Sequence, residues 1–482
     1  MLTLINANRM LPPIAPVGLD YVAGTARRAG IEVELLDLCM VDNPHDALVA
    51  YFASHEPELI GVSLRNVDDC FWPSGASFLP QLQETIAGIR AAGDAPLAIG
   101  GGGFSIFAAE IVARCRAEFG IRGDGEQAIV RLIEELRGDQ QWERVPGLIW
   151  PTRDGLQCNP PAWPEQLDVP TQRDAVDNRA YFARGGQIGV ETKRGCPRPC
   201  AYCADPIAKG EATRLRTPTE VADECVALLA QEIDVLHLCD AEFNIPLYHA
   251  KAVCDELILR GLGQSLRWYA YLAVTPFDAE LAEGMARAGC VGINFTSDAA
   301  SPTMLAVYRQ PHHADDLTRA VQLCRQNGIA VMLDMLLGGP GETPETLAES
   351  IGFFRQLEAD CFGAALGVRI YPNTHIARLI AAERPWNDNP SIRRHYRGPV
   401  DLVQPTFYVS SALGPQPARL VRELIAGDER FFPPQDEPDA DAAGQTTAAA
   451  SSDHNYSENR ALCDAIAAGA RGAYWDILRH LK

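Results

Sequence analysis

Cys196, Cys200 and Cys203 stand within one short run, Cys-Pro-Arg-Pro-Cys-Ala-Tyr-Cys. Three thiolates at C-x3-C-x2-C spacing can hold three irons of a [4Fe–4S] cluster, for which cysteine sulfur is the ordinary ligand. No fourth Cys or His follows at ligand spacing, so one iron would stay open for an outside ligand. Two plainer readings stand beside this one. A structural zinc site takes four protein ligands, often from C-x2-C pairs, whereas the triplet offers three. Cysteine also packs as a small apolar residue, and the chain has 14 of them; a Pro-rich, Arg-flanked loop argues against burial.

The elements around the triplet must position it. Strands are expected at 187–192, 235–239, 267–272, 291–295, 330–337 and 364–369, and helices at 217–231, 247–260, 278–288, 314–327 and 344–357. Six strand–helix units imply an open, partial (β/α)6 TIM-like barrel over 185–380, with its chemistry at the C-terminal strand ends. Those ends carry the cysteine loop, Cys239-Asp-Ala-Glu242, Thr296-Ser-Asp298, Gly338-Gly-Pro-Gly-Glu342 and Arg369-Ile-Tyr371.

Residues 1–145 alternate in the same way. Strands at 2–6, 32–38, 59–63, 97–100 and near 120–122, with helices at 19–29, 81–92, 108–115 and 127–137, predict an α/β, doubly wound, Rossmann-like domain. After the fourth strand, Gly100 to Gly103 lead into a helix, where missing side chains admit backbone to a bulky ligand and a helix start offers free N–H groups. The spacing is not the G-x-G-x-x-G of dinucleotide binding. Residues 146–184 read as a linker with a β-hairpin at 147–160. Residues 381–482 read as a small, mainly helical region that shapes a substrate pocket, with a flexible segment at 435–453 and a helix over 457–481. Aromatic candidates for that pocket are Trp268, Tyr269 and Tyr271, with the polar–aromatic runs at 454–457 and 472–476.

With Tyr202 before the third cysteine, the triplet resembles the signature of the radical S-adenosylmethionine (SAM) enzymes. Together with Pro13–Tyr21, the glycine run and Arg122-Gly-Asp-Gly-Glu126, residues 1 to about 380 resemble the cobalamin-dependent members of that family. The resemblance implies three cofactors: a [4Fe–4S] cluster on Cys196, Cys200 and Cys203, SAM on its open iron, and cobalamin. Glu242 would accept the SAM ammonium, since charge-assisted hydrogen bonds are the strong ones. Ser297 and Asp298 would bind its ribose or carboxylate, or else cap the next helix. Gly338 and Gly339 would leave room for adenine or sulfonium, and the backbone at Ile370 and Tyr371 would meet the adenine edge. Gly101, Gly102, Gly103, Ser105, Gly123 and Glu126 would cradle cobalamin. No Asp-x-His-x-x-Gly loop is present, so Arg65 becomes the candidate to sit beneath cobalt. Arg65 and Tyr202 are the candidate catalytic side chains.

The implied reaction moves a methyl group from SAM, through methylcobalamin, to a carbon of a small molecule or peptide, with an electron donor such as flavodoxin or ferredoxin. One alternative is rearrangement, cyclisation or oxidation without methylation. Another is RNA methylthiotransfer, which needs a second cluster, with Cys39, Cys70 and Cys115 as its candidate ligands. A net charge of −21 over 482 residues gives no counterion-release gain on nucleic acid. No apolar run approaches the roughly 20 residues of a membrane span, the N-terminus reads as a first strand, and irregular cysteine spacing suits a reducing cytoplasm.

Overall fold

The computed structural model describes residues 1–436 and 455–482. Its first sheet has seven strands in the order Val33–Asp37, Leu2–Asn6, Leu59–Ser63, Leu97–Gly100, Phe119–Ile121, Leu148–Thr152, Gly155–Cys158. The first five are parallel. The last two are the expected hairpin, which joins the sheet antiparallel instead of standing apart in a linker. Strand order reverses between Leu2–Asn6 and Leu59–Ser63, and ligands of open α/β sheets bind beyond the carboxyl ends at such a switch.

The second sheet is an open, all-parallel barrel of seven strands: Ile188–Val190, Val235–Leu238, Arg267–Leu272, Cys290–Asp298, Ala330–Leu337, Cys361–Leu366 and Phe431–Phe432. Parallel strands buried on both faces read as nearly continuous apolar runs. Asp334 is the one polar residue of Ala330–Leu337. Alternation along each strand sends one set of side chains to the helix layer and the other into the barrel. Trp268, Leu333 and Phe362 join the core under the helices. Val235, Tyr269, Met332 and Cys361 instead cluster with Trp475, which seals the barrel floor.

Several elements differ from expectation, each for a local reason. The strand expected at 364–369 is Cys361–Leu366, broken at Gly367, whose φ of 102° suits glycine alone. Val368–Arg369 then joins a separate small sheet with Phe407–Tyr408 and Ile392–Arg393. The single helix expected over 457–481 is two, Arg460–Ala467 and Tyr474–Arg479. Gly472 divides them with φ 150°, and a Cβ there would lie 2.8 Å from the Tyr269 hydroxyl. The short helix Pro44–Phe52 had no expectation; Asn43 caps it by accepting from His45 N at 3.0 Å. The C-terminal region supplies the seventh barrel strand and the floor. The segment at 435–453 lies outside the described residues from 437 onward, as does His454.

Candidate active site between the two sheets

The cysteine loop leaves the first barrel strand through Lys193–Arg194, which pairs with Arg214–Leu215. Gly195 has φ 85°, and a Cβ on it would meet the carbonyl of Ala212 at 2.2 Å, so the loop can leave the ladder only at a glycine. Asp240, where related signatures carry glycine, is buried and accepts from the backbone N–H of Thr192 at 2.8 Å and Lys193 at 3.2 Å. It ties the second strand end to the stem of the cysteine loop, a role its position alone did not signal.

Cys196 is buried, Cys200 and Cys203 half-buried. Burial raises all three thiols, Cys200 to about 12, and each of Cys200 and Cys203 is raised further by its neighbouring cysteines. Among the described residues no three Cys, His, Asp or Glu side chains converge on a single point. A zinc site requires such convergence; a cubane does not, since each thiolate takes a different iron. In kind, three free thiols on one loop are the donor set that a cluster takes. Cys39, Cys70 and Cys115 form no second set: Cys70 receives the Tyr371 hydroxyl at 3.5 Å, while Cys115 is packed in the core of the first sheet.

Tyr202 is engaged within the protein. Its hydroxyl donates to Asp298 at 2.7 Å and its ring packs edge-on to Tyr308, so it positions the loop. Asp298 is thereby engaged from the cysteine side. Gln310 also reaches Asp298, and donates to Cys200 Sγ at 3.4 Å. Ser297 is fully buried and donates to the Asp334 carbonyl at 2.7 Å. Glu242 accepts from Thr296 at 2.6 Å through one oxygen, and its other oxygen is buried with no partner. Burial lifts its carboxyl to about 7. A buried acceptor without a donor is the fit expected of a site for a ligand cation.

The glycine loop after Ala330–Leu337 is shaped by packing. A Cβ on Gly339 would lie 2.3 Å from the Tyr308 hydroxyl, and Gly338 has φ 88°. Glu342 turns back to accept from Gly338 N with one oxygen, and burial lifts its carboxyl to about 7. At Ile370 both backbone groups are engaged: N–H to Thr406 at 2.9 Å, and carbonyl with Arg369 at 2.7 Å. Tyr371 lies under the Arg369 guanidinium, 4.7 Å away, on the boundary between the two sheets.

Facing the barrel mouth, the first sheet holds a cavity of about 190 Å³, lined by Gly61, Ser63, Gly100, Gly102, Ser105 and Gly123 among others. The glycines divide into two kinds. A Cβ on Gly101 would lie 2.5 Å from the Leu64 carbonyl, and one on Gly103 2.7 Å from Asn66, so these two let the 64–67 loop pack, Gly101 while also lining the cavity. Gly102 has only the Arg65 carbonyl nearby, at 3.5 Å, and opens to the cavity. Ser105 accepts from Gly123 N at 3.0 Å and fixes two walls together. Glu126 is engaged in an ion pair with Arg194 of the cysteine-loop stem at 2.9 Å, joining the two halves of the chain.

Arg65 projects between the halves. Its side chain is exposed to the space there, yet protein surrounds it closely enough that desolvation lowers its pKa, with Cys239, Tyr474 and Tyr271 facing it. It makes no side-chain hydrogen bond or ion pair among the described residues. Below it, alternation aims His237, Tyr271, Asn294 and Asp334 into the barrel. The rings of His237 and Tyr271 are 5.0 Å apart, and burial holds His237 down to about 4, hence neutral. Asn294 donates to Asp334 at 2.7 Å. Trp268 belongs to the helix side, its indole N–H on the Ala288 carbonyl at 2.8 Å, and Tyr269 belongs to the floor, bonded to Asp476 at 2.7 Å. Of the three aromatics expected in the pocket, Tyr271 alone faces it.

Comparison with known proteins bears on this two-sided arrangement. Residues 5–133 match the B12 binding domain and residues 190–354 the Radical SAM superfamily. A tryptophan 2-C-methyltransferase of Streptomyces laurentii is 31% identical, over 79% of this chain and 74% of its own. The chain belongs to the cobalamin-dependent radical SAM methyltransferases. A solved family structure, TsrM from Kitasatospora setae with tryptophan and a SAM analogue, superposes with TM-score 0.90 at 31% identity, covering 99% of this chain and 97% of that one. A second TsrM structure, with cobalamin and a [4Fe–4S] cluster, gives 0.88 at 29%. This methyltransferase thus uses a [4Fe–4S] cluster, SAM and cobalamin, and transfers a methyl group to carbon. None of its helices, among the described residues, is long and apolar enough to cross a membrane.

Proposed function

We propose that the enzyme methylates an indole carbon of tryptophan, with SAM as methyl source and a protein electron donor of the flavodoxin or ferredoxin kind. The observation that carries this reading is the full-length likeness to a tryptophan-bound relative. The local chemistry agrees: His237 and Tyr271, their rings 5.0 Å apart and the imidazole neutral, offer an aromatic surface on the barrel side of Arg65, with the Asp334 carboxylate on a neighbouring strand. Bound cobalamin supplies a cobalt that accepts and donates a methyl group, which is chemistry side chains lack. The protein orients the partners and excludes water, with Trp475 closing the floor. Anaerobic incubation of reconstituted enzyme with SAM and tryptophan should yield tryptophan heavier by one methylene unit, together with S-adenosylhomocysteine. Unchanged tryptophan beside methylation of another aromatic amine would overturn the substrate.

Arg65 is assigned the space beneath cobalt. A guanidinium remains protonated and has no lone pair to give a metal, so it keeps a strong donor from that face. Arg65→Ala or Arg65→Lys should alter the absorption spectrum of bound cobalamin and slow methyl transfer; an unaltered spectrum would remove the assignment.

Glu242 is assigned the SAM ammonium. A cation stabilises the ionised carboxylate, so binding pulls its pKa down from about 7. The ionised form predominates above that value. SAM affinity should therefore fall roughly tenfold per pH unit below about 7, measured by equilibrium binding. Glu242→Gln should bind more weakly and flatten this slope; parallel profiles in the two proteins would exclude the role.

A further inference from the structure

The outer side of the cysteine loop lies at the protein surface and is flanked by cations with no acidic partner. Pro197 and Pro199 are exposed. The loop is clamped from both sides: Ala201 N–H donates to the Tyr308 carbonyl at 3.0 Å, and Ile376 N–H donates to the Ala201 carbonyl at 2.8 Å. The next residues along those two clamps are Arg309 and His375. Arg309 is exposed and makes no side-chain hydrogen bond or ion pair among the described residues; Arg378 is exposed and donates only to the Asn373 carbonyl at 2.9 Å. Both guanidiniums face His375 closely enough to depress its pKa, after the effect of desolvation. Gln310, adjacent to Arg309, touches Cys200 Sγ, so the cationic patch and the cluster loop are one residue apart.

Arg309 has a second peculiarity. It ends the helix Pro302–Tyr308 with φ 61°, a left-handed position where glycine is the unstrained choice. A large cation here is disfavoured by the backbone and, among the described residues, its guanidinium gains no hydrogen bond or ion pair.

We propose that Arg309, His375 and Arg378 form the docking surface for an acidic one-electron carrier protein that reduces the cluster; this rests on the protein-donor part of the reading above. One electron leaves the reduced carrier and enters the oxidised cluster, and no atom or proton is transferred. Electron transfer falls off steeply with distance, so entry belongs where the loop meets solvent. The enzyme carries −21 overall and would repel an acidic carrier at long range, so encounter needs a local cationic patch to steer it.

The test uses reconstituted holoenzyme, with reduced bacterial flavodoxin and, separately, reduced methyl viologen, a small cation. Two variants are compared with wild type: R309E/R378E, and R309G, which removes the charge while relieving the backbone. The bimolecular rate of cluster reduction by flavodoxin should fall about tenfold or more in R309E/R378E and lose its salt dependence, and fall less in R309G. Reduction by methyl viologen should not slow, and R309G should melt no lower than wild type. Equal slowing with both reductants would overturn the docking surface in favour of damage to the cluster loop. Unchanged flavodoxin rates would overturn it outright. Wild type reduced by methyl viologen but by no acidic carrier would overturn the protein-donor reading itself.

Discussion

Cys196→Ala, Cys200→Ala or Cys203→Ala should each abolish methyl transfer while the chain still folds. The fold does not rest on these thiols: the barrel core is a continuous apolar cluster under the helices, and the loop stem is set by Asp240, Gly195 and the Lys193–Arg194 ladder. On the proposal that these thiols ligate the cluster, it cannot survive their loss, because three ligands already leave one iron open and two cannot hold a cubane against exchange. Burial keeps the thiols protonated until iron arrives, so loading releases protons and assembly should quicken as pH rises. Iron content should drop from about four per chain to near zero, with loss of the cluster's visible absorption. Cys225→Ala is the matched control: Cys225 is buried among the barrel helices, and its loss should cost about 1 kcal/mol of stability and no iron. Full iron and activity in any triplet variant would show that a different residue ligates the cluster.

The triplet was legible because its ligands are contiguous and their spacing answers to metal chemistry. The strand ends were legible for a related reason: parallel strands are largely apolar, so a run of polar or glycine residues marks where most of them stop. What escaped the sequence depends on contacts across long separations. Glu126 lines the cavity as read, but its ion pair with Arg194 appears only on folding. Gly103 reads as a ligand glycine, and the 64–67 loop is what it accommodates, whereas Gly101 lines the cavity and admits that loop as well. Trp268 and Tyr271 sit in one short strand three positions apart, and parity alone sends one to the helices and the other into the barrel. Glu342 follows a glycine run with nothing local to signal burial; its burial comes with the turn that folds it onto Gly338.

The largest stability effect should come from Glu224, far from the cysteines. Its carboxylate is fully buried and receives Arg173 at 2.7 Å, Arg216 at 2.5 Å and the Tyr21 hydroxyl at 2.9 Å. Arg173 in turn holds Asp20 at 2.6 Å and lies close to Asn178 at 3.2 Å. Asp20 and Tyr21 belong to the helix Val17–Arg28 of the first half, whereas Arg216 and Glu224 belong to the barrel. One carboxylate therefore compensates two buried guanidiniums at the joint that holds the first sheet against the barrel mouth. Glu224→Ala leaves Arg216 without a counter-charge and Arg173 with only Asp20, at an expected cost of about 3–5 kcal/mol. Glu224→Gln keeps hydrogen-bonding capacity, loses the charge, and should cost less. Amide exchange in Val17–Arg28 and Ile188–Val190 should accelerate in Glu224→Ala before the rest of the barrel opens, and methyl transfer should fall with it, because the reaction needs both halves in register. Uniform exchange rates across the joint, equal to wild type, would mean that apolar packing alone holds the halves together.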